Sequence, residues 1–316
     1  MSWSAALRAS LGATLDRPRW WLIALAGFLL RGGLLVFLAP IVILPTPAGL
    51  TNAVAPSLVG FVFGSPSDAF VALVVLAAVT AFAWLLGGGL LAAWLEVTLV
   101  AEMGAAPDLG IAPRRRDRLA PQALALRLVS HLPFAIAIGW GVARVVEAVY
   151  AELITPGDVA IPIILRVVLR VPDVIVALVL TWLAGEAAGG LAVRRLVLGR
   201  DGPMTPRRAL AAGWTTLARP ASLGTLIVAT GLLAAVAVPA VAAAGYAWDR
   251  VRVVLAGGVH PLVVAASLAS FTSIWLSGLW LMAVVAAWRA AAWTYEAARR
   301  GALPPRDRHA GAVEPV

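Results

Sequence analysis

Residues 20–44 read WWLIALAGFLLRGGLLVFLAPIVIL, an apolar run broken by a single charge, Arg31, and closed by Pro45 and Pro47. About 20 apolar residues suffice for a helix to cross the ~30 Å hydrocarbon core of a bilayer, so this stretch reads as a membrane span. Five more apolar runs follow, at about 69–100, 129–149, 171–193, 221–248 and 262–288. The composition agrees: 61% of the 316 residues are apolar and 13% charged, with a mean hydropathy of +0.92. Soluble domains carry about 25% charged residues. The expected fold is all-α, a polytopic integral membrane protein with six transmembrane helices and short amphipathic surface helices. One membrane domain spans 1–301, with a flexible cytoplasmic tail at 302–316. The first run is too long for a signal-peptide core of roughly 7–15 residues and reads as a retained anchor.

Arginine sets the expected orientation. All 25 basic residues are arginine. Nineteen fall in the N-terminal tail, in the loops after the second and fourth runs, and at the C-terminal end; four (Arg166, Arg170, Arg250 and Arg252) fall on the opposite side. By the positive-inside rule both termini are cytoplasmic. Arginine-only, alanine-rich usage points to a bacterium, hence to the bacterial plasma (inner) membrane.

The same composition excludes several chemistries. Without lysine there is no phosphate loop ending in Gly-Lys-Ser/Thr and no Schiff-base nucleophile. Without cysteine there are no disulfides or thiolate metal sites. By the expected topology His131 lies near the cytoplasmic face, His260 on the outside and His309 in the tail, so they cannot share a metal, and no cofactor and no metal are expected. The net charge of +9 is spread over short loops without interleaved base-stacking aromatics, which argues against nucleic acid.

Three groups of polar residues stand out. Arg31 lies 11 residues into its run, about 16 Å deep at a rise of ~1.5 Å per residue, beyond easy snorkelling. Glu96 and Glu186 are the carboxylates that could pair with it, forming an intramembrane polar centre. Such charges are costly in lipid and are paired or face a cavity. Arg144, Glu147, Arg166, Arg170 and Asp173 gather at the outer surface, at headgroup depth. There, residues 161–170 suit an interfacial helix or an early start of the fourth span. Ser267, Ser270, Ser273 and Ser277 share one face of the sixth run. With Gly185-x-x-x-Gly189 and Gly87-Gly88-Gly89 they read first as contacts that let helices approach, and second as the lining of a polar conduit. Trp20, Trp21, Trp248 and Trp293 suit an aromatic belt.

Internal repetition is suggested by Leu15-Asp16-Arg17-Pro18 and Leu217-Ala218-Arg219-Pro220, each preceded by an Ala-Leu pair and followed by a span. Glycine closes each pair of spans, at Gly104, Gly199 and Gly301. This gives three possible two-helix repeats, 1–104, 105–199 and 200–301. The layout of Pro206-Arg207-Arg208-Ala209-Leu210 through Arg219-Pro220, with the matching residues 15–18, resembles the six-span membrane domain fused to some bacterial glycerophosphodiester phosphodiesterases. It is also similar to related stand-alone membrane proteins. The resemblance carries no catalytic motif within these residues, so it implies neither phosphodiesterase activity nor site residues.

The expectation is therefore a non-enzymatic, permease-like or accessory membrane component. Its partner is the lipid bilayer, with a protein subunit or a second copy as a further partner. The alternative is a structural or regulatory protein that binds a lipid headgroup. A small intramembrane enzyme would need a convergent acid–base set that the sequence does not display.

Overall fold

A computed structural model describes residues 2–42, 60, 64, 67–111, 119–155, 157, 161, 163–199, 204–258 and 260–300. The regular structure among them is entirely helical. Helices α1 (Trp3–Leu15), α2 (Pro18–Leu38) and α3 (Asp68–Gly104) come first. They are followed by α4 (Ala120–Ser130), α5 (Leu132–Ile154), α6 (Ile163–Arg170) and α7 (Pro172–Leu198), then by α8 (Pro206–Leu217), α9 (Pro220–Ala256) and α10 (Pro261–Arg300). Six of these, α2, α3, α5, α7, α9 and α10, are long and apolar enough to cross a membrane. The tail 302–316, the Arg114–Arg118 cluster and Gly301 lie outside the described residues.

Local chemistry fixes the helix starts. Pro18, Pro133, Pro172 and Pro220 sit in first turns, where the missing N–H costs nothing and the fixed φ is already helical. Ser2, Ser67 and Thr205 cap α1, α3 and α8 by accepting from the N–H groups of Ala5, Phe70 and Arg208. Among the expected glycine stops, Gly199 ends α7 with φ +30°, a conformation that favours glycine. Gly104 instead remains helical at the end of α3, and a Cβ there would strike Leu198 at 2.6 Å.

The short helices α1, α4 and α8 gather at one end of the bundle. Ala6 and Ala13 of α1 pack with Trp20, Met103 and Tyr295, while Ala123 and Leu126 of α4 and Ala209 of α8 pack with Val97, Val193 and Leu196. At the far end the packing is divided. Val167 of α6 joins α5 and α7, and Val251 and Phe271 join α9 to α10. The first part of α3, Asp68–Ala83, buries no residue. Within the expected stretch, Ile163–Arg170 form a separate helix, α6, which ends before Pro172. Trp20 and Trp293 do not form a belt; they are 3% and 5% exposed and pack inside the bundle.

Two features shape the interior. Helix α2 breaks at Arg31 (φ −87°, ψ 20°) and Gly32 (φ +103°, ψ −8°), and glycine alone adopts the second conformation without strain. Trp84 Nε1 donates to the carbonyl of Leu30 across the break (3.2 Å). Trp84 itself opens a second widened turn, Trp84–Gly88, within the Gly87-Gly88-Gly89 region of α3.

The second feature is the glycine pair of α7. A Cβ on Gly185 would lie 2.8 Å from the carbonyl oxygen of Ser130, and one on Gly189 would collide with the Ser130 hydroxyl. These glycines therefore admit the C-terminal turn of α4 against α7, which brings Arg127 inward. Gly189→Leu should lower stability by about 1–3 kcal/mol, the usual cost of forcing bulk into a packed contact. Gly231→Ala, where nothing lies within 4 Å, should be neutral. Thermal unfolding of the purified chain checks both, and equal tolerance would show that α4 is not seated this way.

Candidate functional site

The broken helix α2, the inward end of α4 and helices α3, α7 and α10 bring a cluster of ionised side chains together. Glu96 accepts from Arg31 Nη2 at 2.5 Å and from Arg127 Nε at 3.0 Å. Arg127 Nη2 closes a bidentate pair on the same carboxylate, and Arg194 Nη1 stands 3.6 Å away. Glu186 accepts from Arg127 Nη1 at 3.0 Å and from Arg289 Nη2 at 3.3 Å. His131 donates from Nδ1 to the Arg127 carbonyl (2.8 Å), while its Nε2 lies 3.8 Å from Glu186. Arg127 is thus the bridge between the two carboxylates. Burial alone would pull its pKa down, but Glu186 and Glu96 push it above the ordinary arginine value, which fixes the charge.

The sequence expectation of an Arg31 pair with Glu96 or Glu186 resolves geometrically. Arg31 pairs with Glu96, and Glu186 is held by Arg127 and Arg289. Arg127, Arg194 and Arg289 were missed as members because they fall beside spans, where they count as ordinary loop arginines. The one available signal was position: Arg194 and Arg289 continue the helical registers of their spans, and Arg127 follows an apolar face of α4.

Four guanidinium groups thus meet two carboxylates, and the four are not equivalent. Arg127 commits all three of its nitrogens. So does Arg194, whose Nε, Nη1 and Nη2 donate to Thr294 Oγ1 (3.2 Å), Gly190 O (2.9 Å) and Ala290 O (3.1 Å). Arg31 and Arg289 engage through Nη2 alone. Their side chains are also the most exposed of the four, at 34% and 20% against 12% and 5%.

These groups border a cavity of about 490 Å³. Its remaining wall is mostly apolar and includes Phe28, Trp182, Leu233 and Met282. Thr230 of α9 also lines it, and its hydroxyl is buried with no hydrogen-bond partner. Helices α7 and α9 both contribute residues to the cavity wall, and Leu226 of α9 packs against the cluster that Ala187, Leu191 and Trp293 form.

The other residues singled out from the sequence lie elsewhere. Arg144 contacts Glu147 (2.6 Å) and Asp173 (3.5 Å), while Arg166 and Arg170 converge instead on Glu152, at 3.2 and 2.5 Å. Glu152, which the sequence reading omitted, is 3% exposed and also accepts from the Gly157 N–H, tying the α5–α6 connection together. Ser270, Ser273 and Ser277 are exposed, and Ser267 bonds back to the carbonyl of Val263. None of the four serines lines the cavity. Among the described residues, no group of three or more histidines and carboxylates is placed to hold a metal. No protein-family model, curated protein or solved structure matches the chain.

Proposed function

We propose that this chain is a non-enzymatic, permease-like component of the bacterial inner membrane that binds an anion at its buried arginine centre. The supporting observation is the charge imbalance. An ion-pair cluster that only holds helices together gains most when its charges cancel, because every uncompensated buried charge carries a desolvation penalty. Here four guanidinium groups meet two carboxylates, and the two arginines with uncommitted N–H groups, Arg31 and Arg289, both border a cavity. A broken helix lining an interior cavity is also how membrane transporters expose polar groups at span depth.

In this reading both termini are cytoplasmic. Setting aside Arg127, Arg194 and Arg289, which turn inward, the arginine distribution is still sixteen against four. The order of a short helix and two spans is met three times from α1 to α10, with the further short helix α6 between the spans of the second unit, and it supports descent from a repeated two-span unit.

Arg31→Leu and Arg250→Leu separate this reading from a merely basic protein. Arg250 sits at the exposed far end of α9, stacked over Tyr246. Arg31→Leu should abolish stabilisation of the purified chain by anionic amphiphiles, while Arg250→Leu should leave it intact. Equal behaviour of the two variants contradicts the proposal.

A further inference from the structure

We infer that the anion is the phosphate headgroup of a lipid, gripped by Arg31 and Arg289 with its acyl chains along the apolar wall of the cavity. This rests on the anion-centre reading above and names its ligand class. The free donors come first. Arg31 and Arg289 each keep Nε and Nη1 unengaged, and a guanidinium presents such N–H groups as a fork that matches two oxygens of a phosphate. The excess of two positive charges suits a phosphate monoester, which carries about −1.5 to −2 at neutral pH.

The rest of the wall favours a lipid over a hydrated ion. Phe28, Trp182, Leu233 and Met282 offer nothing to a water shell but can hold acyl chain. The cavity of about 490 Å³ falls within the range that encloses small ligands, about 300–1,000 Å³.

Thermal unfolding of the full chain in mild detergent tests this with four probes at matched concentration: phosphatidic acid, diacylglycerol with the same chains, oleate, and inorganic phosphate. Phosphatidic acid should raise the midpoint by several degrees while the other three do not. Arg31→Gln/Arg289→Gln should lose the response. An equal shift from diacylglycerol would overturn the inference by showing that only the chains are recognised. An equal shift from inorganic phosphate would assign the centre to a soluble ion. A shift from oleate but not phosphatidic acid would overturn the phosphate assignment and leave the anion centre standing. No shift from any anion would overturn both.

Discussion

Arg127→Leu should be among the most damaging single substitutions in the protein, costing about 3–5 kcal/mol of stability, the usual penalty for breaking a buried ion pair. Arg127 holds Glu96 through two nitrogens and Glu186 through the third. Its loss leaves Glu96 to Arg31 and Arg194 and Glu186 to Arg289, with no group joining the two carboxylates, 7% and 16% exposed. Arg127→Lys should recover only part of the loss, because one ammonium cannot span both carboxylates as a planar fork does. Arg8→Leu, on the exposed face of α1, should change little. Unfolding of purified protein in mild detergent titrated with dodecyl sulfate gives the comparison. If Arg127→Leu is as stable as Arg8→Leu, Arg127 does not join the two halves of the cluster.

Glu96→Gln has a two-sided expectation that a purely structural cluster would not share. Glu96 compensates Arg31, Arg127 and Arg194, so the variant should lose about 3–5 kcal/mol of stability for the same reason as Arg127→Leu. It also raises the excess positive charge at the cavity from two to three. Affinity for an anionic amphiphile should therefore rise, by about tenfold for roughly 1.4 kcal/mol of added attraction, even as the empty protein becomes less stable. Combining it with Arg127→Leu should cost less than the sum of the two single effects, because contacting groups are not additive. Stability and lipid binding measured on one preparation separate the two effects. A parallel fall in both would show that Glu96 matters only for packing.

The fold was largely legible in the sequence because span helices are written in long apolar runs, and prolines mark their starts. Helix α6 was legible only as one of two options, since Arg166 and Arg170 four apart suit both a surface helix and a span end. The break in α2 was less visible. The sequence Arg31-Gly32-Gly33 lies in an apolar run that hydropathy reads as continuous, and it takes the positive φ of Gly32 to open the helix. The three glycines of α3 drew attention to bending there, and a widened turn does lie across part of them.

The site was half legible. Arg31, Glu96 and Glu186 stood out because a charge inside an apolar run is conspicuous. Arg127, Arg194 and Arg289 did not, because the rule that orients the chain counts every arginine near a span end as a surface residue. Whether such an arginine faces water or the interior depends on helical phase and on what packs above it. For Arg127 the deciding contact is α4 against Gly185 and Gly189 of α7, a long-range approach. Conversely, the serine spacing on α10 was conspicuous, yet three of those serines face outward, because helical spacing defines a shared face without saying where it points.

The central claim is that the buried arginines hold an anion with a lipid tail, and native mass spectrometry of the chain released from its own membrane tests it most directly. The expected result is one phosphate-bearing lipid retained per chain and lost from Arg31→Gln/Arg289→Gln. A chain that flies bare, or that keeps the same lipids after both substitutions, contradicts the claim.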